Sequence, residues 1–280
     1  MPTTRFRRRG ISGVSLLIAL IVVLGLYLAF QRVAPLLKGS GCEAMGDGQE
    51  ITLAPAQAGN AATIAGVAQR EALPSRAVTV AYAAAMQESK LQDLTYGDRD
   101  SVGIFQQRPS EGWGKPSQLE NPVYATSKFF GALVKVPGYQ RLPVYQAAQA
   151  VQRSADGGAY QQYQGLAAHM TTAFTGQDPH AVSCWYSQKI SGKARLTAAE
   201  LELTRTFGAQ DARIIADPGL ILRVGNARDG WAVAAWLVSH APQYRIDDVQ
   251  YQGYRWTAAS SAQGWSHAVS PTPPESVELG

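Results

Sequence analysis

The chain of 280 residues is long enough for a membrane anchor and one or two compact domains, and 46% of its residues are hydrophobic. This composition excludes a chain that is disordered throughout. The formal net charge of +4 reflects 25 basic against 21 acidic residues, and that excess equals the four arginines Arg5, Arg7, Arg8 and Arg9. Because the remainder is nearly neutral, no nucleic acid partner is expected.

The clearest physical signal is the uncharged, mostly apolar run over residues 11–30, which follows the basic residues 1–10. About 20 such residues at a rise of roughly 1.5 Å cross a hydrocarbon core. The run therefore predicts a transmembrane helix rather than a buried core helix. The charges before it predict a cytoplasmic tail and a single-pass cell-membrane protein whose remaining residues are extracellular. A cleaved signal peptide is the alternative, which the length of the run disfavours.

The segment after this run, residues 31–56, is rich in Gly, Ala and Pro without strong periodicity, and predicts a linker. It contains Cys42, and the second cysteine of the chain is Cys184. Both lie outside the membrane in the predicted topology, where disulfides form. We therefore expect a disulfide between them, with two free thiols as the alternative.

Two helices are predicted next. Apolar residues recur at helical spacing over residues 60–71, Pro74 ends the pattern, and Ser75 is a candidate N-cap for a second helix over residues 76–90. Over residues 77–86 the only polar side-chain groups are two hydroxyls. A helix that is apolar on every side belongs in the middle of a domain.

Glu88 stands at the C-terminal end of this second helix, with Ala85, Ala84 and Ala81 on the same stripe. The partial negative charge of a helix C-terminus and partial burial both favour a protonated carboxyl group there. A protonated carboxyl is what a general acid needs in order to protonate a glycosidic oxygen. The alternative is a solvated glutamate at a helix end.

The residues around Glu88 form a recognisable pattern. It comprises Glu88-Ser89, then Tyr96-Gly97-Asp98-Arg99-Asp100, Gly103-Ile104-Phe105-Gln106-Gln107, Trp113, and Asn121, Pro122, Tyr124 and Ala125 with Phe129 and Phe130. This pattern resembles the soluble lytic transglycosylase and goose-type lysozyme superfamily, in a variant found in secreted and membrane-anchored proteins of actinobacteria. The resemblance covers well under half of the chain. It implies a mainly α-helical, lysozyme-like domain over residues 57–176.

The resemblance implies a peptidoglycan-cleaving enzyme, a lytic transglycosylase or lysozyme-type glycosidase, that acts on the β-1,4 bond between N-acetylmuramic acid and N-acetylglucosamine. Glu88 would be the general acid and base, and the outcome would be either lysis to a 1,6-anhydro sugar or hydrolysis. The residues assigned to substrate binding are Ser89, Gln106, Gln107 and Trp113. Asp98 and Asp100 are candidates for positioning a water, or belong to a turn that Arg99 neutralises.

Aromatic side chains offer a second route to sugar binding. Trp113, Tyr139 and Tyr160 either present apolar faces to sugar rings or pack in the core, and the sequence does not separate the two. Phe105 is expected in the core.

One difference between this sequence and the superfamily pattern supports an alternative function. Many members of the superfamily carry a Tyr-Asn pair in a later helix, whereas residues 150–154 here read Ala-Val-Gln-Arg-Ser. The alternative is therefore a catalytically inactive module that binds glycan or scaffolds a cell-envelope complex with protein partners.

No cofactor or metal is expected. The four histidines are isolated from one another, and the chain has neither a Gly-rich phosphate loop nor a Gly-x-Ser-x-Gly turn.

The remaining residues, 177–270, predict a small α+β domain. Its elements are a helix over residues 197–207, a strand over 212–216, an apolar helix capped by Asp229, and a hairpin that turns at Gln252-Gly253. It resembles a C-terminal domain of secreted cell-wall-associated proteins. The Pro-rich residues 271–280 predict a disordered tail. The expected fold class is therefore α+β: a transmembrane helix, a mainly α-helical lysozyme-like domain and a small α+β domain.

Overall fold

A computed structural model of the chain describes residues 17, 20–27, 39–154, 158–209, 211–215, 219–270 and 272–280. The chain divides into two units, Met1–Gly39 and Ser40–Gly280. In the first unit, residues 20–27 are helical; the basic tail and most of the predicted membrane helix lie outside the described residues. Within the ranges just given, no helix has the length and apolar character needed to cross a membrane.

The second unit begins with a three-stranded antiparallel sheet. Its central strand is β1 (Gly41–Gly46), flanked by β2 (Gln49–Leu53) and β3 (Val182–Trp185). The segment 31–56, expected to be a linker, thus contains a β-hairpin. The reason is that alternate side chains of this hairpin are buried against the helices, namely those of Cys42, Ala44, Ile51 and Leu53.

The predicted disulfide is present between Cys42 and Cys184. The two residues face each other in the β1–β3 register, and both are completely buried. The bridge joins positions 142 residues apart, so it ties the start of this unit to its middle.

Nine α-helices lie within the described part of this unit. They are α1 (Pro55–Arg70), α2 (Ser75–Glu88), α3 (Pro116–Leu119), α4 (Pro122–Leu133), α5 (Val144–Gln152), α6 (Gln164–Phe174), α7 (Leu196–Phe207), α8 (Ala227–Ser239) and α9 (Ala241–Tyr244). Short 3-10 helices occur at Pro109–Glu111, Gln161–Tyr163 and Ala258–Gln263. Helix α1 packs against α2, α4, α7 and α8, whereas α2 packs against α4, α5 and α6.

Helix α2 is central, as its composition predicts, because every residue from Ala77 to Met86 is buried. Its two hydroxyls are satisfied: Tyr82 donates to the Ala61 carbonyl at 2.8 Å, and Thr79 lies 2.9 Å from the hydroxyl of Thr171. Burial raises the pKa of Tyr82 well above its ordinary value. The helix begins at Ser75 with Pro74 as the N-cap, so the prediction of Ser75 as N-cap is one residue late.

The second sheet is antiparallel, with the order β4-β5-β9-β6-β7-β8. Its strands are β4 (Asp211–Ile215), β5 (Gly219–Arg223), β6 (Asp248–Tyr251), β7 (Tyr254–Thr257), β8 (Ser266–His267) and β9 (Ser276–Leu279). The predicted turn at Gln252-Gly253 joins β6 to β7, and both residues have positive φ, as a two-residue hairpin requires.

Two local predictions differ from this part of the structure. The C-terminal segment, expected to be disordered, forms β9 between β5 and β6, where Val277 and Leu279 are buried. The N-cap of α8 is Asn226 rather than Asp229, because the Asn226 side chain accepts a hydrogen bond from the Asp229 amide at 3.0 Å.

The two sheets and the helices share one hydrophobic core. The buried cluster contains side chains of α1, α2 and α6 together with those of α7, α8 and the second sheet. The predicted domains 57–176 and 177–270 are therefore joined by a continuous buried surface. The second unit is a mixed α+β structure.

Candidate functional site

Glu88 is the last residue of α2, and its side chain is half-buried where the helix leaves the core. The helix ends there because Ser89 departs from helical geometry and both Lys90 and Leu91 adopt positive φ. The Ser89 side chain is buried, and its hydroxyl donates to the Ile104 carbonyl at 2.7 Å. Ser89 therefore fastens the end of α2 to the turn that carries Gln106 and Gln107.

The carboxylate of Glu88 is held by Tyr160, whose hydroxyl donates to Glu88 Oε1 at 2.6 Å. Tyr160 is completely buried, so the packing around its ring limits the movement of its hydroxyl. Within the ranges that the structure describes, no hydrogen bond reaches Glu88 Oε2. Among the described residues, one oxygen of the carboxylate therefore accepts a hydrogen bond from a side chain and the other does not.

Two further contacts hold the segment around Tyr160 against the end of α2. Gln162 donates to the side chain of Gln87 at 3.2 Å. The ammonium of Lys90 bonds to the Tyr163 hydroxyl and to the Met86 carbonyl, and it lies 4.5 Å from the centre of the Tyr163 ring. The Tyr160–Glu88 bond is thus supported on both sides.

The turn that precedes the first 3-10 helix is closed by the pair Val102–Gln107. Gln106 is half-buried, and its amide donates to the carbonyls of Tyr96 and Gly103. Gln107 is buried, with its amide donating to the Ala125 carbonyl at 3.2 Å. Both amides thus hold the turn in place, and Gln106 is the more accessible of the two.

Asp100 stabilises the loop around residues 108–110 through hydrogen bonds. Its carboxylate accepts hydrogen bonds from the Ser110 amide at 2.7 Å, the Ser110 hydroxyl at 3.0 Å and Arg108 Nε at 3.0 Å. These bonds, that of the Ser110 amide first, lower the pKa of Asp100. The cation beside Asp100 is therefore Arg108, not Arg99. Asp98 is exposed in the same loop.

Trp113 lies half-buried in the lining of a cavity with a volume of about 1040 Å³. Glu88 is not one of the residues that line this cavity. Gln152 connects the cavity to the end of α2 that carries Glu88. It lines the cavity, and its amide donates to the Phe105 carbonyl at 2.7 Å. The neighbouring Ile104 carbonyl accepts the hydrogen bond from Ser89.

The other aromatic candidates are buried. Tyr139 is 8% exposed. Phe105 is completely buried, as expected, and stacks on Phe129 with ring centres 4.5 Å apart. Sequence reasoning assigned Tyr160 either to sugar stacking or to the core and missed its bond to Glu88, because nothing local links two residues 72 positions apart.

No group of three or more potential metal ligands occurs in the portion of the chain that is described. Comparison with family models finds no match to this sequence, and comparison with curated proteins finds none. The geometry of the site and the motif resemblance are therefore what indicates a function.

Proposed function

We propose that the protein is a membrane-anchored, extracellular enzyme of the lytic transglycosylase and goose-type lysozyme kind, which cleaves the bond between N-acetylmuramic acid and N-acetylglucosamine in peptidoglycan. The single observation that carries the proposal is the position of the Glu88 carboxylate. It stands at the C-terminal end of a buried helix, and its Oε1 accepts a hydrogen bond from the buried Tyr160 hydroxyl. The anchor is the apolar run 11–30.

The chemistry needs one carboxyl group. Protonated Glu88 Oε2 donates its proton to the bridging oxygen as the bond from that oxygen to C1 breaks, and the substrate's acetamido oxygen supports the positive charge that develops at C1. The hydrogen bond from Tyr160 then stabilises the carboxylate that forms. Tyr160 keeps the same oxygen engaged throughout, so Oε2 faces the substrate in both protonation states.

The second half of the reaction uses Glu88 as a base. It removes a proton from the sugar's 6-hydroxyl, whose oxygen closes a 1,6-anhydro ring at C1, or from a water, which gives hydrolysis. Asp98 is exposed and its side chain makes no hydrogen bond within the described ranges, so it suits water positioning better than Asp100, whose carboxylate is committed to Arg108 and Ser110.

A second candidate function is an inactive module that binds glycan or scaffolds an envelope complex. The observation that favours it is that the cavity of about 1040 Å³ is lined by Trp113 and Gln152 but not by Glu88. Binding in that cavity does not by itself require chemistry.

The test uses the full-length protein in detergent, incubated with purified peptidoglycan, and mass spectrometry of the soluble products. Wild type should release muropeptides, anhydro or hydrolysed, and Glu88→Gln should release none. The matched control is Glu50→Gln, which neutralises an exposed carboxylate on β2 and should remain active. Equal activity of wild type and Glu88→Gln would exclude Glu88 as the acid. Retention on peptidoglycan without cleavage by either protein would establish the second candidate.

A further inference from the structure

The 1040 Å³ cavity is built from three segments. One wall is the face of α4 and the turn after it, a second is the end of α5, and the third is the loop around Trp113. Its volume is at the upper end of the range found for small-ligand sites.

The charge of this lining is predominantly positive. Lys128, Lys135 and Arg153 are exposed side chains that line the cavity, and none of them forms an ion pair within the described ranges. The one acidic residue in the lining is Glu111, and it is already paired with Arg108. Among the residues that the structure describes, three cations of one cavity therefore have no anionic partner.

The floor of the cavity is made of small side chains. Gly131 and Ala132 follow Lys128 on α4 at positions i+3 and i+4, so these three residues share one face of the helix, and Lys135 lies in the turn just after α4. A Cβ atom at Gly131 would meet no atom within 4 Å. The lining next to Lys128 is therefore open at Gly131.

An aromatic wall closes one side. Tyr124 lies beside Trp113, with its hydroxyl 3.4 Å from the Trp113 carbonyl, and the Lys128 ammonium lies 5.2 Å from the centre of the Tyr124 ring. The ring holds Lys128 on the cavity side and contributes an apolar surface.

We propose that this cavity binds the acidic peptide attached to the glycan, with its carboxylates meeting Lys128, Lys135 and Arg153. Glycan without peptide offers a single lactyl carboxylate per disaccharide, whereas a peptide with several carboxylates along its length offers a partner for each of the three cations. The inference rests on the proposed function. It adds that peptide-bearing glycan is preferred to bare glycan, and that Gln152 links the peptide site to the turn beside Glu88.

The experiment measures binding of the full-length protein to two forms of one peptidoglycan preparation. One keeps its peptides, the other has lost them to an amidase, and phosphate-containing wall polymers are removed from both beforehand. Each exposed pair of charges changes affinity by roughly 2- to 5-fold. With three such pairs, wild type should bind the peptide-bearing form about 10-fold more tightly than the form without peptides. High salt should reduce this preference.

Two variants and one control test the site. Lys135→Gln combined with Arg153→Gln should lose most of the preference, and Gly131→Leu should lose it by filling the floor with no change of charge. Lys193→Gln neutralises an exposed cation outside the cavity and should keep the preference. Circular dichroism should be the same for all of them.

The outcomes separate this inference from the proposed function. Equal binding of both glycan forms by wild type overturns the inference and leaves the enzyme proposal standing. A preference that survives both variants also overturns it. Binding to neither form overturns both proposals.

Discussion

Removing the Cys42–Cys184 disulfide is the perturbation whose size follows most directly from the structure. The bridge closes a loop between positions 142 residues apart, and it is completely buried between β1 and β3. In the chain-entropy treatment, a cross-link over such a loop stabilises the folded state by about 5 kcal/mol, because it restricts the unfolded chain. For a unit of this size, that free energy corresponds to a fall in Tm of roughly 10–20 °C.

The assay is thermal unfolding followed by circular dichroism, for wild type with and without reductant and for the double variant Cys42→Ala, Cys184→Ala. Reduced wild type keeps both sulfur atoms, so it isolates the covalent link from the packing of the side chains. We expect reduction to lower the Tm of wild type by roughly 10–20 °C. Reductant should leave the Tm of the double variant unchanged.

A change of less than about 3 °C on full reduction would refute the reasoning, since it would correspond to only about 1 kcal/mol. A double variant much less stable than reduced wild type would instead indicate that the buried sulfur atoms contribute mainly through packing.

Three further predictions concern the orientation of Glu88, the contact between β1 and His169, and the titration of His240. Tyr160→Phe removes a hydrogen bond to a charged group, which is worth about 1.5–3 kcal/mol. The kcat on peptidoglycan should therefore fall roughly 10- to 100-fold, with KM little changed. An unaltered kcat would contradict the role of Tyr160 in orienting Glu88. Gly46→Ala should destabilise the protein by about 1–3 kcal/mol in urea unfolding, because its Cβ would clash with the His169 carbonyl oxygen, whereas Gly131→Ala, with open space, should not. Burial lowers the pKa of His240 to about 4, so the unfolded chain takes up this proton first and the free energy of unfolding should fall as pH drops from about 6.5 to 4; His240→Phe should flatten that slope.

Local sequence features determined a large part of the fold. The apolar composition of residues 77–86 placed α2 at the centre, and Glu88 at its end follows from where that composition stops. The turn at Gln252-Gly253 was also predictable from the sequence, because a two-residue hairpin needs residues that tolerate positive φ. The cysteine pairing followed from there being two cysteines and one expected compartment.

Contacts between distant residues were decided only by the tertiary structure. The segment 31–56 lacks strong periodicity, yet β1 is a central strand because β3 pairs with it from far along the chain. The C-terminal strand β9 is similar, since its order comes from insertion between β5 and β6. One interpretation of the sequence had Arg99 neutralise Asp100, but the loop folds so that Arg108 forms the ion pair with it.

The sequence by itself determined which carboxyl group stands at the end of a buried helix, because helix periodicity and side-chain hydrophobicity act over a few residues. Only the tertiary structure decided that Tyr160 orients this carboxyl group and that Lys128, Lys135 and Arg153 converge on one cavity. Such groups meet because packing brings separate helices together, and the free energy of that packing depends on the whole core rather than on any one segment.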